Sequence, residues 1–260
     1  MWLNKKLLVV FNFIVVCFLS ACAEKERLAD GSELIHKNQF VFAASGEFKP
    51  FSYINDDLTM SGFDIEVGEA IAKEMGLEPV QKRIKFKGIV EGVKTGRADV
   101  AVASHTINPQ RSKHVSFSTP YYYSGPQIFT RPDSQIKTVN DLVGKEVAVA
   151  KGSTYADTAS EYTDKIKNYD SDITALKALS SGRHDAVITD FVTGKNAAKE
   201  GFKIKGQQLI NRSEQAIVLP QDNPQLLKRV NESLEKLREN GTLTEISIKY
   251  FGEDITKKPE

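Results

Sequence analysis

The sequence predicts an α/β fold of two similar lobes, and three observations support this. The chain has 260 residues, enough for two medium lobes, and its 40% hydrophobic and 27% charged content is ordinary for a soluble globular protein. Short apolar runs typical of strands alternate with amphipathic helical patterns. The run DVAVA at Asp99–Ala103 has a counterpart, DAVIT at Asp185–Thr189, which indicates that the α/β pattern occurs twice.

The N-terminal segment, residues 1–21, predicts a signal peptide ahead of the fold. Lys5 and Lys6 give it a positive start, and the largely apolar run Leu7–Leu19 is too short to span a bilayer comfortably, which takes roughly 20 residues. The run ends in LSAC at Leu19–Cys22, which resembles the lipobox of bacterial lipoproteins. That resemblance implies cleavage before Cys22 and a lipid on this cysteine. The alternative is a plain signal peptide in which the cysteine is incidental.

Residues 22–38 are polar and charged, and we expect them to form a tether to the membrane surface. The first lobe is then predicted over residues 39–124 together with 218–255. Glycines that follow the helical patterns indicate where several of its helices end. Its predicted elements are a strand at Gln39–Ala44, helices at Asp64–Met75 and Gly88–Thr95, the strand at Asp99–Ala103, a helix at Gln225–Glu239 and a last helix ending at Phe251.

The second lobe is predicted over residues 125–217, because a new series of strand and helix patterns begins there. Asp172 is a plausible N-cap for one of its helices. The predicted elements are a helical turn at Asn140–Leu142, a strand at Val147–Ala150, helices at Tyr155–Tyr162 and Ile173–Leu179, and the strand at Asp185–Thr189.

Candidate binding residues follow the predicted strands, because ligands of open α/β sheets bind beyond the carboxyl ends of the strands. Arg111 lies just after the DVAVA strand, and a guanidinium can bind a carboxylate through two parallel hydrogen bonds. Ser104 and Thr106 lie at the same strand end, where hydroxyl and N–H groups favour an anion. The alternative for this loop is a surface arginine and a routine helix cap.

Polar residues also follow two strands of the second lobe. Asp190 comes directly after DAVIT, so it could pair with a ligand ammonium across a cleft, or it could simply cap the next helix. Ser153 and Thr154 follow Val147–Ala150 in a turn that offers N–H groups to an anion, although an ordinary turn has the same sequence.

Aromatic residues near the early strands supply candidate walls for the aliphatic part of a ligand. We expect Phe48 and Phe86 to line the site and Phe51 to pack in the core. The four histidines lack metal-site spacing, so we predict no metal, and the sequence indicates no other cofactor. The formal net charge of +1 gives no basic excess for nucleic acid.

Seven stretches, in order, resemble the polar-amino-acid-binding proteins of bacterial ABC importers, known as solute-binding protein family 3. The resemblance covers residues 38–255 and several motifs with matching spacing. The stretches are Ser45–Tyr53 (SGEFKPFSY), Ser61–Val67 (SGFDIEV), Gly96–Val100 (GRADV), Thr106–Arg111 (TINPQR), Phe117–Tyr121 (FSTPY), Gly182–Val187 (GRHDAV) and Asn240–Leu243 (NGTL).

The resemblance implies the type II periplasmic-binding-protein fold: two lobes, each a mixed sheet flanked by helices, joined by two hinge strands near Gly125–Thr130 and Gln215–Leu219. It also implies a monomer that closes around a free amino acid and delivers it to an ABC permease outside the cytoplasm. In that arrangement the α-carboxylate is held by Arg111 with help from three hydroxyl residues, Ser104, Thr106 and Thr154.

By the same resemblance Asp190 holds the α-ammonium, and Phe48 and Phe86 sandwich the side chain. One departure bears on specificity. Basic-amino-acid and glutamine binders of this family carry an acid where this chain has Ser45, and Glu47, two residues on, is not expected to reach the ligand. We therefore expect a neutral polar or sulfur-containing ligand.

The main alternative is an enzyme on the same fold, because prephenate-type dehydratases resemble these binding proteins closely. Such enzymes place a catalytic acid a few residues beyond the position of Asp190. Here the helix that follows begins FVTGK at Phe191–Lys195 and has no carboxylate before Glu200. The sequence therefore favours a binding protein over an enzyme.

Overall fold

The structure is a computed structural model that describes residues 25–259. The predicted signal peptide and Cys22 lie outside the described residues. The strands are β1 (Glu26–Arg27), β2 (Glu33–Leu34), β3 (Gln39–Ala44), β4 (Glu47–Phe48), β5 (Ser52–Ile54), β6 (Met60–Ser61), β7 (Glu78–Arg83), β8 (Val100–Thr106), β9 (Ser116–Phe117), β10 (Tyr122–Ser124), β11 (Pro126–Thr130), β12 (Val147–Ala150), β13 (Ile166–Tyr169), β14 (Ala186–Asp190), β15 (Lys205–Leu209) and β16 (Ser213–Leu219).

The helices alternate with these strands, as the sequence predicts. A short 3-10 helix at Val139–Leu142 accompanies them. Within residues 25–259, none of the helices is both long and apolar enough to cross a bilayer. The helices are α1 (Phe63–Glu74), α2 (Phe86–Lys94), α3 (Pro109–Ser112), α4 (Thr154–Ser160), α5 (Asp172–Ser180), α6 (Phe191–Lys199), α7 (Pro224–Glu239) and α8 (Thr242–Phe251).

The first lobe is a mixed sheet in the order β10-β16-β8-β3-β7, with β9 paired to β16. Strand β3 is parallel to β7 and β8, whereas β16 runs antiparallel to β8 and β10. Helix α1 packs closely on this sheet, because Gly68 lies where any Cβ would come within 2.7 Å of the Phe42 ring. Fully buried rings, Phe42, Phe63 and Tyr121 among them, fill the core beneath the sheet.

The second lobe is a five-stranded mixed sheet in the order β13-β12-β14-β11-β15. Strand β12 is parallel to β13 and β14, and β11 runs antiparallel to β14 and β15. Helix α6 lies against β11 so tightly that a Cβ on Gly194 would fall 2.1 Å from the Phe129 ring. Ser171, rather than the predicted Asp172, caps α5, because its hydroxyl accepts the N–H of Thr174 at 3.2 Å.

The lobes are joined at two points, and only one matches the predicted hinge. Gly125 links β10 in the first sheet to β11 in the second, as expected. Strand β16, predicted as the returning hinge strand over Gln215–Leu219, lies wholly in the first sheet, so residues 213–217 belong to the first lobe. The return crossing is therefore at residues 210–212. The two crossings touch, because a Cβ on Gly125 would lie 2.1 Å from the carbonyl oxygen of Asn211.

The predicted tether over residues 22–38 is wrong for its described part. Strands β1 and β2 form an antiparallel pair, and Leu34 is fully buried in the first lobe. The N–H of Ile35 donates to the carboxylate of Asp99 at 2.7 Å, and Asn223 donates to the carbonyl of Glu33 at 2.6 Å. The segment is therefore held by burial and hydrogen bonds that its polar composition did not reveal.

Candidate functional site

A pocket lies between the two lobes, at the carboxyl ends of β3, β8, β12 and β13. It holds about 470 Å³ of empty space, part of it open to solvent. The first lobe contributes Ser45, Glu47, Phe48, Phe86, Ser104, Thr106 and Arg111 to its lining, and the second lobe contributes Ala150, Ser153, Thr154, Tyr155, Asp170, Ser171 and Asp172. The structure thus brings together eight of the nine residues singled out in the sequence, all except Asp190.

Arg111 is held at the end of β8 by the short helix α3. Asn108 caps this helix, accepting the N–H of Arg111 at 2.8 Å. The guanidinium donates to the carbonyls of Thr106 and, across the cleft, Gly152, each at 3.1 Å. Burial lowers the pKa of Arg111, but an arginine stays protonated. Since both partners are neutral carbonyls and no carboxylate of the described residues pairs with Arg111, its charge is free to bind an anion.

Ser104 is fixed by a ring of hydrogen bonds that the sequence did not reveal. Its backbone is left-handed, with φ of 56°. Its N–H donates to the Tyr121 hydroxyl at 2.9 Å, and both Tyr121 and the Ser104 hydroxyl donate to the carboxylate of Asp64, at 2.6 and 2.7 Å. While Asp64 is ionised, the proton of the Ser104 hydroxyl is used in this ring, so Ser104 Oγ can take part in a further hydrogen bond only as an acceptor.

Asp64, at the start of α1, is fully buried, and burial raises its pKa to about 7. In the sequence it looks like an ordinary acid in the first turn of a helix. Its partners lie 40 and 57 residues away along the chain, so no local pattern connects them.

Two aromatic rings form apolar walls of the pocket. Phe86 stacks on His105 with ring centroids 4.7 Å apart, and its ring centroid lies 5.8 Å from the Arg111 guanidinium carbon. Phe48 stacks at 4.9 Å on Phe51, which is fully buried in the core. The structure therefore places Phe48 and Phe86 in the pocket and Phe51 behind it, where the sequence predicts them.

Asp190 is fully buried at the N-terminus of α6, where it serves as the helix cap. Its Oδ1 accepts the N–H groups of Val192 and Thr193 at 2.8 and 3.3 Å. Its Oδ2 accepts the hydroxyl of Tyr155 at 3.3 Å, and Tyr155 itself lines the pocket. In this conformation Tyr155 therefore lies between the Asp190 carboxylate and the pocket. Burial raises the pKa of Asp190 to about 6.

Asp172 lines the pocket directly, although the sequence suggested only a helix cap. Its Oδ1 accepts the Thr189 hydroxyl at 2.5 Å. Burial, with a smaller contribution from the charge of Asp190, raises its pKa to about 6. The second lobe therefore presents two buried carboxylates close to the pocket.

Glu47 also lines the pocket. Its Oε1 lies 3.2 Å from Arg83 Nη2, whereas its Oε2 is buried and receives no hydrogen bond from the described residues. Ser45 is buried beside it, and its hydroxyl accepts the N–H of Glu47 at 3.2 Å. Ser45 Oγ and Ser52 Oγ lie 3.3 Å apart.

The lobes are closed on one another around this pocket. Thr154 Oγ1 lies 3.4 Å from Thr106 Oγ1. Two ion pairs also span the cleft, one between Lys85 and Asp170 at 3.3 Å and one between Lys49 and Glu200 at 2.7 Å. All four charged side chains are more than a third exposed, so each pair adds at most about 1 kcal/mol to closure.

Comparison with known proteins identifies the family. Residues 40–253 match the sequence profile of the bacterial extracellular solute-binding proteins, family 3. The chain belongs to this family. Among its relatives, the L-cystine-binding protein TcyJ of Escherichia coli is 33% identical over 219 residues, which cover 82% of each chain. The probable amino-acid-binding protein YxeM of Bacillus subtilis is 33% identical over 262 residues, covering 97% of each.

Solved structures show the same fold. An ancestral arginine-binding protein bound to arginine matches 83% of this solute-binding protein and 99% of its own chain, with a TM-score of 0.78 and 31% identity. The ancestral amino acid-binding protein AncCDT-1, a precursor of cyclohexadienyl dehydratase, matches with a TM-score of 0.78 and 29% identity, covering 82% and 96% of the two chains. The predicted two-lobed type II fold is confirmed, and the family and its curated relatives are binding proteins rather than enzymes.

Proposed function

We propose that this chain is an exported, lipid-anchored protein that captures a free amino acid by closure of its lobes and delivers it to an ABC importer. The observation that carries the proposal is the charge arrangement of one pocket. Arg111, which has no anionic partner among the described residues, lines the pocket together with Asp172 of the opposite lobe. The buried carboxylate of Asp190 lies behind this lining and accepts the hydroxyl of Tyr155. This arrangement suits a zwitterion. The relatives named for binding cystine or arginine support an amino acid as the ligand.

The α-carboxylate of the ligand binds Arg111 in this proposal. Within the described residues, two of the five guanidinium N–H groups donate to the protein, so a carboxylate can still accept from the fork. Thr106 of the first lobe and Thr154 of the second place their hydroxyls in the same lining, so the carboxylate connects the two lobes.

In this proposal the ligand α-ammonium lies beside the hydrogen-bond acceptors Ser104, Asp172 and Asp190. Ser104 Oγ faces it as an acceptor, which moves this residue from the carboxylate role implied by the family resemblance to the ammonium. Asp190 remains the assigned counter-charge, with Asp172 as the neighbouring carboxylate in the wall. Since burial raises both pKa values to about 6, binding weakens as the pH falls below about 6 and these acids become neutral.

The anchor and location complete the proposal. Cys22 carries the lipid, and β1 begins at Glu26, so three residues separate the lipid from the first strand. A monomer is thereby held close to the outer face of the membrane, where its permease lies. The aromatic walls formed by Phe48 and Phe86 accept the aliphatic part of the ligand side chain.

Calorimetry of the purified protein, stripped of co-purified ligand and titrated with free amino acids, tests this function. Arg111→Ala should weaken binding by about 3–5 kcal/mol, because it leaves the ligand carboxylate buried without its partner. Asp190→Asn should weaken binding through loss of the counter-charge to the ammonium. The exposed Arg97, outside the pocket, provides the matched control Arg97→Ala.

Two outcomes would contradict the proposal. Near-normal affinity in Arg111→Ala would show that the zwitterion is not held as described. Chemical consumption of a ligand, with an unchanged radius of gyration in solution scattering, would favour the dehydratase-like alternative. Closure on binding predicts instead a smaller radius with ligand.

A further inference from the structure

The pocket lining has more acidic than basic side chains. Arg111 is the cation of the lining, against Glu47, Asp170 and Asp172. Asp170 is paired with Lys85 across the cleft, and Glu47 is paired through one oxygen with Arg83. In the proposed binding mode, the α-ammonium faces the carboxylates of the second lobe, so Glu47 is the acid that the first lobe contributes to the rest of the pocket.

The two carboxylate oxygens of Glu47 differ in their surroundings. Arg83 binds Oε1 at 3.2 Å, but Oε2 is shielded from solvent and receives no hydrogen bond from the described residues. A buried acceptor without a partner costs about 1–3 kcal/mol, more when it is charged, so such an atom favours any ligand that brings a donor to it.

The backbone of Glu47 is fixed, and one carboxylate oxygen has a partner. Its residue pairs with Tyr53 in the β4–β5 ladder, and its N–H donates to Ser45 Oγ at 3.2 Å. Arg83 bridges this unit, since its Nε donates to the carbonyl of Ser45 at 3.4 Å while Nη2 donates to Glu47 Oε1. In this structure the contact with Arg83 leaves Oε2 as the oxygen that can accept from a ligand.

Glu47 also lies at a different part of the pocket from Arg111. Strand β4 lies against α5, which follows β13 in the second lobe. The Arg111 guanidinium instead contacts Gly152, in the loop after β12. A side chain that extends along the pocket from Arg111, from the β12 loop towards the β13 loop, would therefore approach Glu47.

We propose that Glu47 is a specificity-determining residue that selects amino acids whose side chain ends in a cationic N–H donor, either a second ammonium or a guanidinium. This rests on the proposed function. It replaces the expectation of a neutral ligand, which followed from the absence of an acid at Ser45. A sulfur-containing ligand stays compatible when it carries a second ammonium, as cystine does. An amide such as that of glutamine supplies a donor to Oε2 without the charge.

The test compares ligands on the wild-type protein and on Glu47→Gln. L-Cystine, L-arginine and L-lysine are the cationic-end probes, with L-methionine and L-glutamine as neutral references. At least one cationic-end probe should bind about tenfold or more tightly than L-methionine. Glu47→Gln should lose most of that preference, because its affinity for the cationic-end probes falls far more than its affinity for L-methionine. Glu47→Asp, which keeps the charge but shortens the reach, should fall between the two.

Glu91→Gln, an exposed acid outside the pocket, is the matched control, and melting temperatures confirm that each variant is folded. Equal loss for cationic and neutral ligands in Glu47→Gln would overturn the inference, because it would mean a general structural role. If neutral amino acids bind in an Arg111-dependent manner and Glu47→Gln changes nothing, this inference fails while the proposed function stands. If no amino acid binds the wild-type protein, both fail.

Discussion

Replacing Asp64 with asparagine should weaken ligand binding and, at high pH, improve the stability of the fold. The carboxylate accepts hydrogen bonds from Ser104 at 2.7 Å and Tyr121 at 2.6 Å. An asparagine that still accepts from Tyr121 turns its amide N–H towards Ser104. The serine hydroxyl is then free to aim its proton into the pocket, at the place where the ammonium needs an acceptor.

The size of both effects follows from the structure. Loss of one hydrogen bond to a charged group costs about 1.5–3 kcal/mol, which weakens binding roughly 10- to 100-fold. Burial raises the pKa of Asp64 from 3.8 to about 7. At about 1.4 kcal/mol for each factor of ten in acidity, ionised Asp64 makes the fold about 4 kcal/mol less stable above pH 7 than below pH 4.

The sign of the pH effect is fixed by the raised pKa. The folded protein binds the Asp64 proton more tightly than the unfolded chain, so this stabilising contribution is present below about pH 4 and is lost as the pH rises through about 7. Asparagine does not titrate. The free energy of unfolding of Asp64→Asn, relative to wild type, should therefore rise between pH 5 and pH 8.

Urea unfolding at pH 5 and pH 8 measures the stability change, and calorimetry at pH 8, where Asp64 is ionised, measures the affinity. Asp99→Asn is the control, since Asp99 is also a buried acid with a pKa raised to about 6 but lies outside the pocket and should leave affinity unchanged. The reasoning is refuted if Asp64→Asn binds ligand like wild type, or if its relative stability is the same at both pH values.

Two further variants test the packing and the anchor. Gly194→Ala should destabilise the second lobe by about 1–3 kcal/mol, because the new methyl group overlaps the buried Phe129 ring. Thermal unfolding checks this against Gly88→Ala, a helical site with room for the methyl group, and equal melting temperatures would contradict it. Cys22→Ser should move the protein from the membrane fraction to the soluble fraction, and a variant that stays with the membrane at high salt would refute the lipid anchor.

Much of the pocket is predictable from the sequence because its residues follow recognisable strands. DVAVA ends beside Ser104, Thr106 and Arg111, and VAVA at Val147–Ala150 ends beside Thr154. Strand ends at one edge of a sheet converge, so short-range patterns are enough to bring these side chains together. The strands β3 and β12 also begin and end where the sequence predicts.

The parts that the sequence does not reveal depend on distant partners. Asp64 is held by a hydrogen bond from Tyr121, and Glu47 by one from Arg83, 36 residues away. Leu34 lies in a short, mostly polar segment whose few apolar residues, Leu28 and Ile35 among them, follow no helical or strand period, so neither periodicity nor composition predicts its burial. The lobe to which β16 belongs depends on strand pairing between residues about 90 to 115 positions apart, which an apolar run alone cannot specify.

The contact between the two crossings gives the cleft a pivot. Because Gly125 lies against the carbonyl of Asn211, both connections between the lobes pass through one place, and a rotation about it would move each atom in proportion to its distance from it. Thr106 and Thr154, one from each lobe, line a second pocket together with Asn211, so the proposed site of the ligand α-carboxylate lies on the side of the cleft that faces this pivot. A ligand that joins these two threonines would act close to the pivot, where a small change in distance corresponds to a large change in the angle between the lobes.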